Sequence, residues 1–148
     1  MGFARLYTRG VQGMHTPEVI VEVHVANGLP SFSMVGLPDT EVKESRDRVR
    51  SAVQMSGFDF PARRITVNLA PADLPKDSSR FDLPIALGVL LASGTIAAKV
   101  ELNKFEFAGE LALDGGLRGI SGTLAIASNV CKNERGFVLP IVNAREAL

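Results

Sequence analysis

Gly115, Gly116, Gly119 and Gly122 lie between a segment with strand character and one with helix character, where backbone N–H groups can cradle a phosphate. A P-loop needs GxxxxGK followed by Ser or Thr, so that the lysine meets the phosphates and the hydroxyl meets magnesium, and no such string occurs. The dinucleotide fingerprint GxGxxG is missing too, so a structural turn is the expectation for these glycines, with no cofactor in this chain. His15, His24 and Cys131 are scattered without metal-ligand spacing. Asp73, Asp77, Asp82 and Glu110 could gather round a hard cation, but loop turns and a helix cap account for the aspartates, and no metal site is expected. Ser78 and Ser79 stand beside Lys76, and a serine–lysine pair can form an activated nucleophile. That chemistry needs a desolvated amine, whereas a polar loop holding Asp73 and Asp77 favours a solvated, protonated Lys76.

Positive charge offers a different chemistry. Lys43, Arg46 and Arg50 recur at helical spacing, and Arg63, Arg64, Lys76 and Arg80 sit on loops or strand starts, a set suited to phosphate groups of DNA. Glu41, Glu44, Asp47 and Asp59 interleave with them, and Glu44 is placed for an i,i+4 pair with Arg48, so a solvated mixed-charge face explains the same residues.

The elements that must position these residues are legible from periodicity. Val19, Val21, Val23 and Val25 alternate with Glu18, Ile20, Glu22 and His24, the period of a strand with one buried face and His24 on its polar side. Phe3 to Val11 before it and Ser31 to Val35 after it are also strand-like. Asp39 or Thr40 is placed to cap a helix whose Val42, Ser45, Val49, Ala52, Val53 and Ser56 share one face and which Gly57 stops. Arg64 to Leu69 predicts a strand. Asp82 is read as the cap of a helix that is apolar on nearly every side from Ile85 to Ala92 and must be buried all round, with Pro84 in its first turn. Phe105 to Leu113 predicts a strand, Asp114 to Gly122 a loop, Thr123 to Lys132 a helix, and Phe137 to Leu139 a last strand. Asn143 then caps a short helix from Ala144 to Leu148. The order βββαβαβαβα belongs to an α/β class, an α+β two-layer sandwich.

With 148 residues, 46% apolar and 22% charged, the chain is expected to form a single domain, 1–148, around one core. Sixteen basic against sixteen acidic residues give no net charge, so attraction to nucleic acid must come from a local patch. The lone cysteine suits a reducing compartment, and no stretch approaches the roughly 20 apolar residues of a membrane span, so a cytoplasmic location without membrane contact is expected. A C-terminal helix too short to stand alone points to a piece of a longer polypeptide.

Three strings carry a resemblance: Leu29-Pro30-Ser31-Phe32-Ser33-Met34-Val35-Gly36-Leu37-Pro38, then Val42-Lys43-Glu44-Ser45-Arg46-Asp47-Arg48-Val49-Arg50-Ser51-Ala52, and Asn68-Leu69-Ala70-Pro71-Ala72-Asp73-Leu74-Pro75-Lys76. Arg80 to Ala86 and Gly109 to Leu113 extend it. Together they resemble the N-terminal domain of the ComM/YifB family, bacterial magnesium-chelatase-like AAA+ ATPases. The resemblance implies a hexameric ATP-driven DNA motor for branch migration in natural transformation, with this domain ahead of an ATPase module absent from the chain. ATP and Mg²⁺ would belong to that module. The implied partners are single- or double-stranded DNA, the AAA+ module and further copies of the chain. Its fold is similar to the Lon protease domain and to the second domain of ribosomal small-subunit protein five. Aligning Pro75-Lys76-Asp77 and Gly109-Glu110 on the Lon pattern puts Arg80 at the nucleophile position and Leu124 at that of the dyad lysine, so a protease fold without the protease is implied.

Overall fold

The structure, a computed structural model, describes residues 2–12, 15–71, 78–123, 126–128 and 134–143. Its centre is set by alternation. In β2 (Glu18–Ala26) the four odd-numbered valines are fully buried. They register with Ala4 and Leu6 of β1 (Gly2–Arg9) on one side and with Ile65, Val67 and Leu69 of β4 (Arg64–Ala70) on the other. Phe32 and Met34 of β3 (Ser31–Val35) complete that face opposite Ile65 and Val67. The four-stranded sheet runs β1-β2-β4-β3, antiparallel except for the parallel pair β3 and β4. That pair needs a crossover, which α1 (Asp39–Met55) supplies.

Both α1 and α2 (Asp82–Ala92) cover the buried face. Val49, Ala52 and Val53 of α1 and Ile85, Val89 and Leu90 of α2 join the sheet residues in one apolar cluster. Helix α2 reaches the middle of the sheet because of Gly88: a Cβ there would lie 2.6 Å from Val23 Cγ2 and 3.2 Å from Leu6 Cδ1. Gly88→Ala is therefore expected to force the helix off β2 and lower stability by about 1 to 3 kcal/mol, read as a fall in the urea midpoint at constant slope. The opposite face of the sheet, with Phe3, His24, Ser33 and Arg64, carries no helix from the described residues.

The mixed α/β class and the elements from β1 to α2 agree with the sequence reading, but both helix starts differ. Helix α1 begins at Asp39 after Pro38 with no side-chain cap bond, so Asp39 and Glu41 favour it as first-turn charges near the helix dipole. Asp82 is the first residue of α2 and caps nothing, because its carboxylate is drawn sideways into a buried pair. The end of α1 matches expectation: Gly57, at φ +90°, and Phe58 donate back to the Gln54 and Val53 carbonyls.

The segment Phe105 to Leu113 is divided. β5 (Phe105–Phe107) pairs in parallel with β8 (Gly136–Val138), and β6 (Glu110–Leu111) pairs with β7 (Leu117–Arg118) inside the expected glycine loop. Between β5 and β6, Ala108 donates to the Val138 carbonyl and Gly109 to the Arg80 carbonyl, so the backbone turns from one partner to another. Of the third helix, 123 and 126–128 are helical and the rest lies outside the described residues. Asn143 ends a 3₁₀ turn, and its side chain clasps Ile120 through both the N–H and the carbonyl; the helix expected over 144–148 is likewise outside the described residues.

Candidate nucleic-acid interface

Two basic residues of α1, Arg46 and Arg50, face the free edge of β3. Arg46 donates from a terminal guanidinium nitrogen to the Phe32 carbonyl at 3.0 Å, which occupies an acceptor on that edge. One turn on, the Arg50 guanidinium lies 5.2 Å from the Phe60 ring centre and 5.9 Å from that of Phe32, and the two rings are 5.2 Å apart. Stacking holds the Arg50 side chain in place while the residue stays exposed.

Arg50 and Arg63 line the same open cleft of about 220 Å³, with Pro30, Ser31, Gln54 and the Phe60–Ala62 segment completing its wall. The cleft follows from local pairing: the Ser31 N–H donates to the Arg63 carbonyl at 3.2 Å, and Ser31 registers with Arg64 as β4 begins. Arg63 and Arg64 are exposed, as is Lys43. The fold thus brings Arg50 and Arg63 together from α1 and the β4 approach, with Arg46 along the same edge and Arg64 turned onto the open sheet face.

Arg80 must be withdrawn from the set. It is 1% exposed, and its guanidinium donates at 2.9 Å to both the carbonyl and the hydroxyl of Ser121, so it is a buried brace and no phosphate can reach it. The polarity of the surrounding loop suggested a surface arginine, and the anchor is a residue 41 positions away. Lys76 and Leu124 lie outside the described residues. Ser78 is buried, and its carbonyl receives the Phe81 N–H.

Two charged clusters that single-residue reading missed lie away from this interface. Asp82, fully buried, accepts from Arg48 Nε at 2.6 Å, a terminal Arg48 nitrogen at 3.2 Å, the Ser45 hydroxyl at 2.9 Å and the Leu111 N–H at 3.2 Å. Burial pushes its carboxyl above the usual range, against the pull of Arg48, Ser45 and Leu111. The expected pair between Glu44 and Arg48 is present at 3.8 Å but secondary. In the second cluster Glu106 takes Arg9 on both oxygens, at 2.8 and 3.0 Å, and Arg135 at 3.1 Å.

The glycine segment shows no phosphate cradle in its first part. The Gly115 N–H donates to the Ala112 carbonyl and the Gly116 N–H to Asp114 Oδ1, both consumed by the β6–β7 turn. These groups do not fit a nucleotide.

A mixed α/β protein with a cleft lined by Arg50 and Arg63 at its sheet edge is the class in hand. Residues 21–143 match the model of the family ChlI, the subunit ChlI of Mg-chelatase, and the chain belongs to that family. Within it, the chain belongs with the ComM/YifB proteins. It is 50% identical over 147 residues to the competence protein ComM of Haemophilus influenzae and 49% identical over 146 residues to YifB of Salmonella typhimurium. A Mycobacterium bovis protein is 37% identical over 148 residues. Each match covers 99% of this chain but only 29% of the relative, so the chain spans less than a third of the length of these relatives.

Proposed function

We propose that this chain is a noncatalytic accessory domain of a hexameric AAA+ motor that drives DNA branch migration, and that it helps the motor engage DNA through Lys43, Arg46, Arg50, Arg63 and Arg64. The observation carrying this reading is the convergence of Arg50 and Arg63, from separate elements, on one open cleft. The name of the Haemophilus influenzae relative, a competence protein, supports a role in handling incoming DNA. ATP and Mg²⁺ belong to the module outside this chain, and the domain works in the cytoplasm.

Binding of this kind is sequence-independent, because phosphate contacts carry no base information, and it is steeply salt-sensitive, because each neutralised phosphate releases condensed counterions. The isolated chain is expected to bind DNA with Kd of roughly 10⁻⁴ to 10⁻⁶ M at physiological salt. Ring assembly raises this through avidity. Changing Arg63 or Arg64 to Ala should weaken all sequences alike and lower the salt slope by about one per residue, measured by anisotropy across a salt series. An unchanged slope in the folded double variant would refute the DNA reading.

A second reading, assembly without DNA contact, is favoured by a different observation. Leu83, Leu87, Leu90, Phe58 and Leu117 line an apolar groove of about 210 Å³ between the helices and the β6–β7 hairpin. Such a groove suits the motor's own ATPase module. An intact ring of the full-length protein that loses assembly on Leu87→Asp, with DNA affinity of the isolated domain absent from the start, would favour it over ours.

A further inference from the structure

We infer that the open face of the four-stranded sheet is a stacking platform for single-stranded DNA, fed by the arginine cleft at its edge. The inference rests on the DNA reading above and specifies the form of nucleic acid bound.

Register places the residues. Phe3 faces His24, His24 faces Thr66, and Thr66 faces Ser33, so these four form one row across all strands of the sheet. The neighbouring row holds Ala26, Arg64 and Ser31. Ser31 also lines the cleft of Arg50 and Arg63, so the positive cleft lies at the β3 edge of the same face, with Thr66 and Ser33 leading from it to the rings of His24 and Phe3. With strands about 4.8 Å apart, the row is about 14 Å long, enough for successive unstacked bases.

Phe3, the second residue of the edge strand β1, is 54% exposed and contributes nothing to the buried cluster. Its ring has the Arg5 guanidinium at 5.4 Å from its centre. His24, its neighbour in the row, is exposed as well. The carboxylate nearest the row, Glu22, is answered by Arg5 at 2.9 Å and by the Asn68 amide at 3.2 Å, which spares a passing phosphate its repulsion. Exposed rings beside arginines match a single strand, whose bases present free faces, and not a duplex, whose bases are already stacked on each other.

The chain has no tryptophan, so Phe3→Trp creates a single reporter. Titration with a short oligothymidylate is expected to quench it, and a duplex of equal length is expected not to. Phe3→Ala should weaken binding of the oligothymidylate by roughly 5- to 150-fold with the salt slope unchanged, and Phe3→Tyr should restore it. Phe3 lies outside the core, so thermal unfolding monitors that each variant stays folded. If Phe3→Ala leaves single-strand affinity intact while Arg63→Ala weakens it, the platform is overturned and the arginine reading stands. Equal quenching by duplex, or equal loss of duplex binding in Phe3→Ala, also overturns the platform. If neither DNA form binds, or Arg63→Ala and Arg64→Ala have no effect, the DNA reading falls and takes the platform with it.

Discussion

Arg48→Ala should destabilise the domain by about 3 to 5 kcal/mol at neutral pH, because it strands the Asp82 carboxylate in the interior without its countercharge. Asp82 is 0% exposed, and Arg48 supplies two of the bonds that hold it. The Ser45 hydroxyl and the Leu111 N–H continue to donate but cannot neutralise a buried anion. Domains of ordinary stability have roughly 5 to 15 kcal/mol in hand, so the loss is a large share of the total. Its pH dependence has a definite sign. Burial already holds the Asp82 carboxyl above its unfolded value, so ionising it lowers stability as pH rises from the unfolded pKa through the folded one. Removing Arg48 takes away the main opposing pull and moves the folded value higher still. The deficit of the variant is therefore greatest where the buried carboxyl is ionised and shrinks on acidification, as the carboxyl takes up a proton above the usual carboxylate range. Adding Asp82→Asn to Arg48→Ala should recover much of the loss, since the amide oxygen still accepts from Leu111. Urea midpoints at two pH values check both statements, and a deficit that grows in acid would show that Asp82 is not its source. DNA affinity of the folded variant should be unchanged, which separates Arg48 from the arginines of the same helix that face the cleft.

Glu106→Ala is the other change with a large expected effect, again about 3 to 5 kcal/mol. Arg9, only 7% exposed, would lose both carboxylate oxygens and be left with a neutral acceptor, the Thr16 carbonyl at 3.0 Å. Arg135 is 19% exposed, leans on Glu18 and lies 4.4 Å from the centre of the Tyr7 ring, so Arg135→Ala should cost about 1 kcal/mol. A cycle combining the two substitutions tests the asymmetry: the Glu106 effect should persist without Arg135. Near-equal effects of the two single substitutions would place the exposed arginine, and not Arg9, as the partner that matters. Because Arg9 ends β1, Glu18 starts β2 and Glu106 lies in β5, the variant should also loosen the attachment of the β5–β8 pair to the main sheet, visible as faster amide exchange at Phe105 and Phe107.

The parts of this fold governed by local period were legible in the sequence. Alternating valines set the face and register of β2, and the spacing of Val49, Ala52 and Val53 set the buried side of α1, because burial selects apolar residues at the pitch of each element. What sequence could not show were bonds made at a distance. Asp82 has the composition of a helix cap but is claimed by Arg48, 34 residues earlier, and Arg80 has the company of a surface loop but is claimed by Ser121. The break between β5 and β6 is of the same kind, since Gly109 bonds to Arg80 and not along a continued ladder. Of the candidate interface, the α1 spacing was visible, whereas the meeting of Arg50 with Arg63 depends on the path of the chain from Phe58 to Arg64. Phe3 and His24 were each readable as strand residues. Their adjacency needed the antiparallel register of β1 on β2.

The charged cluster at the end of β1 also sets a timetable for synthesis. Glu18 and Arg135 are 117 residues apart, and Arg9 and Glu106 are 97 apart. At 5 to 20 residues per second, roughly 6 to 23 s pass between the appearance of Glu18 and that of Arg135 on the ribosome. Until Glu106 follows, β1 and β2 can pair locally but Arg9 must stay hydrated. The hairpin of β1 and β2 therefore emerges with a wet, unfinished end, which residues made much later close.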